Sequence, residues 1–218
     1  MKLSESKVIK WLNKLSTLAL ALYAIVLLIS IFNAGVPNAT RGIKWYSIYD
    51  VKAEKKDHNK IRTTDNGLGN WFNQKVFVSE AKTASISLRF NSYAELFSFS
   101  SIAFQLAYLI YFICIGFLVL SVKLFFRSLL RDEVFTRKNS SIIIYSSIVL
   151  IFLPVLRWIR QELSINCINN LHINDSGYYL FNGASFFGAE TLIGLVLLAF
   201  GLAFKVGVDI KQENEAFV

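Results

Sequence analysis

The sequence predicts an all-α membrane protein: four transmembrane helices, both termini on the inner side (N-in/C-in), and a small β-rich extracytoplasmic segment between helices 1 and 2. Three observations predict it. Of 218 residues, 54% are hydrophobic and only 17% charged, and the mean hydropathy is positive, above the usual soluble range. Charges are missing from Leu15 to Thr40, Leu96 to Val122, Asn139 to Leu156 and, apart from Glu190, from Ser176 to Phe204. Each window supplies roughly the 20 helical residues, at about 1.5 Å each, that a hydrocarbon layer ~30 Å thick requires. The spacing predicts spans at about 15–33, 101–123, 139–157 and 184–207. A soluble core helix seldom runs so far without charge.

The first span follows "MKLSESKVIKWLNKL", which carries Lys2, Lys7, Lys10 and Lys14. A basic start before an apolar run also describes a signal peptide. The run is long, however, and "FNAGVPNAT" matches a small-residue cleavage site only loosely, so an uncleaved span is expected. Trp11 suits the interface, where amphipathic aromatics concentrate.

Residues 34–95 form the one sizeable segment outside lipid. "KVFVSEAKTASISLRF" alternates as two strands, with Val76 and Val78 on one and Ile86, Leu88 and Phe90 on the other, joined by "SEAKT". "IKWYSIYDV" alternates less cleanly, and "NGLGNW" is turn-prone. The segment has too few apolar residues to be an independent domain.

In the second span, twelve of the positions from Ala103 to Val122 are Leu, Ile, Val or Phe. At about −0.3 to −0.6 kcal/mol each, they contribute roughly −4 to −7 kcal/mol to insertion. Gln105, Tyr108, Tyr111 and Cys114 are expected to point into the bundle, as hydrogen-bonding groups between helices or, in the alternative, as the lining of a small cleft for an apolar ligand. Residues 124–138 form a basic loop, "LFFRSLLRDEVFTRK", leading into the third span. There Thr136 is a plausible N-cap, and Arg137 and Lys138 fall at the phosphate level, their stems snorkelling along the apolar boundary. Pro154 is placed to kink the third span near its end. Cys167 is expected between spans three and four, unpaired with Cys114.

Glu190 is the one acidic residue inside an expected span, costly unless paired. Antiparallel neighbours bring Arg157 and Arg160 to a similar depth, so an Arg157–Glu190 ion pair between helices is expected. Ion or proton translocation would need a relay of such groups. Ala199, Ala203 and Gly207 recur every four residues along span four, with Gly194 and Gly201 in a neighbouring row. Such stripes let backbones approach closely, within a bundle or in a homo- or hetero-oligomer. The tail, 208–218, continues the helix as a charged end, with Lys211 and Glu215 at supporting spacing.

Orientation follows from Lys and Arg in the short segments. Four lysines precede span one, and Lys123, Arg127, Arg131, Arg137 and Lys138 fall between spans two and three; only Arg157 and Arg160 lie in the short connection opposite. The ten basic residues after span one lie in a long loop, which translocates regardless of charge. Both termini are therefore expected in the cytoplasm. The net charge of +8 flanks apolar spans rather than coating a soluble surface, so anionic lipid, not direct nucleic-acid binding, is its expected partner.

Chemistry is expected to be absent. His58 and His172 have no second metal ligand at helical spacing, "NGLGNW" lacks the surroundings of a phosphate loop, and no Ser/His/Asp arrangement is present. No enzyme activity and no cofactor are expected.

"VFTRKNSS" also resembles a Phe-Thr-basic-x-Asn segment between spans two and three of a bacterial four-span membrane family catalogued as domain of unknown function 2975, with Phe135, Thr136, Arg137 and Asn139 in matching places. "LAFGLAFKVGVDIKQENEAFV" is similar to that family's ending, with Gly207, Gln212, Glu213, Asn214 and Glu215 as counterparts. Asp209-Ile210-Lys211 departs from the more usual Glu-Leu or Arg-Leu. The resemblance implies a multi-pass protein of the bacterial cytoplasmic (inner) membrane without an established activity. Some members are encoded beside a small helix-turn-helix regulator, which implies a membrane-held partner of a DNA-binding protein.

The expected function is therefore regulatory or interactive, with a soluble partner docked on the cytoplasmic loop and tail. The candidate residues are Thr136, Arg137, Lys138, Asn139, Gly207, Gln212 and Glu213, with Arg157 and Glu190 between helices. A small transporter or channel component, or an accessory subunit of a larger membrane complex, is the alternative.

Overall fold

The computed structural model describes residues 5–32, 44–55, 83–90, 92–170 and 178–216. In chain order the elements are α1 (Lys7–Phe32), β1 (Lys44–Lys55), β2 (Thr83–Phe90), α2 (Tyr93–Leu96), α3 (Phe99–Leu129), α4 (Arg137–Asn170), β3 (Tyr178–Asn182) and α5 (Ala189–Ala216). The four long helices, α1, α3, α4 and α5, are each long and apolar enough to cross a membrane. Their apolar residues are not a protein core: only 6% of the most apolar window of α1, and the same share of α3, is buried within the chain. Large side chains such as Leu22, Ile25, Leu106, Ile113 and Phe200 stand at least half exposed. Lipid is the solvent that accepts them, and the chain is a multi-pass membrane protein.

Helix boundaries differ from expectation: α1 already starts at Lys7, not at residue 15, and α3 runs on to Leu129, past 123, so the α3–α4 turn is shorter than the expected loop 124–138. The fourth helix starts at Ala189, not at residue 184. Here the Asn182 Oδ1 accepts the Ala184 N–H at 3.0 Å and the Ser185 hydroxyl donates to the Phe187 carbonyl at 2.7 Å. Such local side-chain bonds compete with helix and hold a turn between Gly183 and Gly188. The third helix runs on to Asn170, past the expected end at 157, and carries Cys167 within it. A hydrocarbon boundary changes the side chains a helix needs without ending the helix. Beyond Arg157 the polar Gln161 and Ser164 are buried, so protein rather than lipid surrounds that part. Pro154 lies inside α4, buried, without interrupting it.

The described chain divides into two compact units. One comprises the described parts of 38–105 and 158–184. It holds a three-stranded antiparallel sheet in the order β2-β1-β3. β2 pairs with β1, Ile86 opposite Ile48 and Leu88 opposite Tyr46; the strand expected at Val76 and Val78 lies outside the described residues. β1 is bulged between Ile48 and Val51. Tyr46 and Ile48 are buried in one phase, and the extra residue moves the buried position to Val51. This is why "IKWYSIYDV" reads as poor alternation. Tyr46 packs edge-on against Phe90 and Phe104, at 6.1 and 5.0 Å between ring centroids. Gln105 belongs to this unit, donating to the Leu96 carbonyl at 2.9 Å and accepting from the Tyr46 hydroxyl at 3.3 Å. Gln161 donates to the Tyr49 carbonyl, and Asn182 to the Trp158 carbonyl, so two side-chain amides, that of Gln161 buried, tie the sheet to the end of α4.

The other unit comprises the described parts of 1–37, 106–157 and 185–218. α4 and α5 pack antiparallel. A Cβ on Gly194 would stand 2.9 Å from the Ser147 carbonyl oxygen and the Ile151 nitrogen, and one on Gly201 3.0 Å from Ile143 and Ile144. Two glycines seven residues apart thus let the backbones close. α1 meets α3 where the Tyr23 ring lies over Gly116 and its hydroxyl donates to the Phe112 carbonyl.

Candidate functional site

The α3–α4 turn is where the motif residues converge, and its construction begins at the end of α3. The Glu133 N–H bonds to the Ser128 carbonyl and the Asp132 N–H to the Leu129 carbonyl, both at 3.1 Å. Asp132 sits at φ 58°. This is the paired six-to-one and five-to-two pattern that closes a helix through a left-handed residue, with Asp132 in the place glycine usually takes. Five residues later, at Arg137, α4 starts. The Thr136 Oγ1 accepts the Asn139 N–H at 3.2 Å, an N-cap.

Asn139 joins these two ends. Its side chain is fully buried, and its Nδ2 donates to Ser128 Oγ at 2.9 Å, the Glu133 carbonyl at 2.7 Å and the Val134 carbonyl at 2.9 Å. Ser128 Oγ also donates to the Glu133 carbonyl at 2.8 Å. One amide, with two N–H groups shared among three acceptors, therefore joins the end of α3 to the start of α4. Its own Oδ1 is buried without a hydrogen-bond partner.

Two contacts hold the turn to α5. Phe135 stacks on Phe204, 4.9 Å between centroids with planes 16° apart. Arg137 meets Asp209 at 3.8 Å, both side chains well exposed, a contact worth little by itself. Lys138 points outward beside them, and Gln212 and Glu213 are exposed on the last turns of α5. Gly207 has open space where a Cβ would be, and Ala199 and Ala203 are exposed. The stripe of three small residues therefore faces away from α4, and the Gly194/Gly201 row makes the seam.

Of the expected residues, Phe135, Thr136, Arg137 and Asn139 are brought together. Gln212, Glu213 and Gly207 are not joined to them by any contact among the described residues. Sequence reading missed Ser128, Asp132, Glu133, Phe204 and Asp209. Asp209 was visible as a departure in the tail, and its four-residue spacing from Lys205 gave no hint of Arg137.

At the opposite end of the α4–α5 pair, Arg157 donates to Glu190. Both side chains are about a third exposed, and Tyr111 lies against the same guanidinium. Glu190 is in the first turn of α5, where a carboxylate is favoured by the helix dipole. Gly188 leaves room for its carboxylate, beside Pro154. Among the described residues no three His, Cys, Asp or Glu side chains cluster as a metal would require.

The chain matches no family model, no curated protein and no solved structure.

Proposed function

We propose that this is a protein of the bacterial cytoplasmic membrane, both termini cytoplasmic, that acts by interaction rather than catalysis and docks a soluble partner on the α3–α4 turn and the end of α5. One observation carries the reading. The turn is fixed from within by Asn139 and to α5 by the Phe135–Phe204 stack, while Lys138, Gln212 and Glu213 face outward. A loop with no task beyond joining two spans has no need of such a fastening, whereas a docking surface gains affinity from being formed in advance. The partner implied by the resemblance is a helix-turn-helix regulator, held at the membrane.

The test is copurification in mild detergent of the intact chain, a form lacking residues 209–218, and Asn139→Ala. The expected result is a soluble partner retained by the intact chain and lost from both variants. Identical partner sets in all three would dismiss the reading. A second reading, an accessory subunit of a membrane complex, is favoured by the outward small-residue face at Ala199, Ala203 and Gly207. Disulfide trapping of Ala203→Cys with a neighbouring membrane chain is its expected signature.

A further inference from the structure

The two ion pairs between α4 and α5 are placed at opposite ends of that helix pair. Arg137 and Arg157 are twenty residues apart on α4, and Asp209 and Glu190 nineteen apart on α5. At about 1.5 Å per residue each interval is about 30 Å, one hydrocarbon thickness. Between the pairs α4 carries no charge except Lys138, next to Arg137, and α5 none except Lys205, one turn from Asp209. The pairs thus mark the two edges of the hydrocarbon. The Arg137–Asp209 edge is the more basic: Arg127, Arg131, Arg137, Lys138, Lys205 and Lys211 are all exposed there.

We propose that this edge binds the headgroup phosphate of anionic phospholipid, with Lys138 and Lys205 as its principal contacts. Phe135 stacks on Phe204 and Arg137 meets Asp209, so Lys138 of α4 and Lys205 of α5 lie at one level of the pair. Each is exposed, and neither is given an acidic partner among the described residues. Their ammonium groups reach the phosphate layer while their stems lie along apolar side chains. The positive charge and the adjoining lipid-facing surface together select a negatively charged lipid over a zwitterionic one. The proposal rests on the membrane assignment; it shares Lys138 with the proposed docking surface, and lipid preference and partner retention are separate readouts.

The experiment is electron spin resonance of the full chain in phosphatidylcholine vesicles containing a trace of spin-labelled phosphatidylglycerol or phosphatidylcholine. The fraction of motionally restricted label gives the relative association. The expected result is a severalfold preference for phosphatidylglycerol, reduced about twofold in each of Lys138→Gln and Lys205→Gln, lost in the variant carrying both, and weakening in high salt. Among the described residues neither lysine side chain is hydrogen-bonded or ion-paired, and far-ultraviolet circular dichroism checks that helix content is kept. Absence of preference in the parent chain, or an undiminished preference in the double variant, overturns the proposal. Loss of the preference in millimolar inorganic phosphate at constant ionic strength also overturns it, because the ligand would then be free phosphate.

Discussion

Replacing Asn139 with Asp exchanges an NH2 group for an oxygen and little else, so it isolates the donor that closes the α3–α4 turn. The Glu133 and Val134 carbonyls accept from that group, and a carboxylate would face them as a third acceptor in a buried site. Alanine removes the donor, while the Glu133 carbonyl keeps the Ser128 hydroxyl and the Val134 carbonyl keeps the Thr136 N–H, so the cost is that of the hydrogen bonds lost, about 1 kcal/mol each. Both variants are expected to lower stability in detergent by about 2–4 kcal/mol, Asp at least as much as Ala, with faster proteolysis near residues 130–136. An Asp variant as stable as the parent would remove the amide from its role. At Asp132, with φ 58°, Val is expected to cost about 1–2 kcal/mol more than Gly, because a β-branched side chain resists the left-handed region. Comparative thermal melts of the two variants measure it. Thr136 was legible as a cap because Ser and Thr before an apolar run have one dominant local use. Asn139 was not, since two of its three partners are backbone carbonyls, which carry no residue signature. Asp132 gave no glycine to mark the helix end.

At the scale of elements, the glycines of α5 separate two functions that the sequence presents together. Every small residue from Gly194 to Gly207 reads as a packing candidate, yet only the Gly194/Gly201 row touches α4. Gly194→Ala forces a methyl against backbone atoms at 2.9 Å, which a flexible side chain cannot relieve. It is expected to cost about 1–3 kcal/mol by overpacking. Gly207→Ala meets nothing within 4 Å and is expected to be neutral or slightly stabilising through helix propensity. Equal effects at the two positions in detergent unfolding would mean that the seam lies elsewhere. The same limit explains β1. Its alternation was blurred by a bulge, and register slips of one residue defeat any reading that assumes period two. α4 overran its expected end because Arg157, Arg160 and Gln161 mark a change of surroundings, and nothing before Asn170 breaks the helix.

For the whole molecule, the four apolar helices were legible because lipid thickness sets a length that few other environments demand. The sheet was legible only in part: β2 was read from Ile86, Leu88 and Phe90, whereas its neighbours were not, because the three strands come from distant stretches and β3, "YYLFN", merges into the apolar approach to α5. What the sequence offers beyond helix count is sidedness, and that rests on short segments. Lys2, Lys7, Lys10 and Lys14 lie at the N-terminal end, and Lys123, Arg127, Arg131, Arg137 and Lys138 lie in and beside the turn between α3 and α4, against Arg157 and Arg160 at the opposite end. Retention of Lys and Arg on the cytoplasmic side makes that nine-to-two imbalance the ground for the proposed orientation, in which the long 34–95 segment is translocated despite its own basic residues. In a background with Cys114 and Cys167 replaced by Ser, single cysteines at Asn66, Glu133 and Asn214 divide the possibilities. A membrane-impermeant maleimide applied to intact spheroplasts is expected to label the Asn66→Cys chain alone, with Glu133→Cys and Asn214→Cys reacting only after permeabilisation. Labelling of Glu133→Cys from outside would invert the protein and place the Asn139 turn beyond reach of any cytoplasmic partner. Labelling of Asn66→Cys and Asn214→Cys from outside, with Glu133→Cys protected, would instead mean that the last helix does not cross.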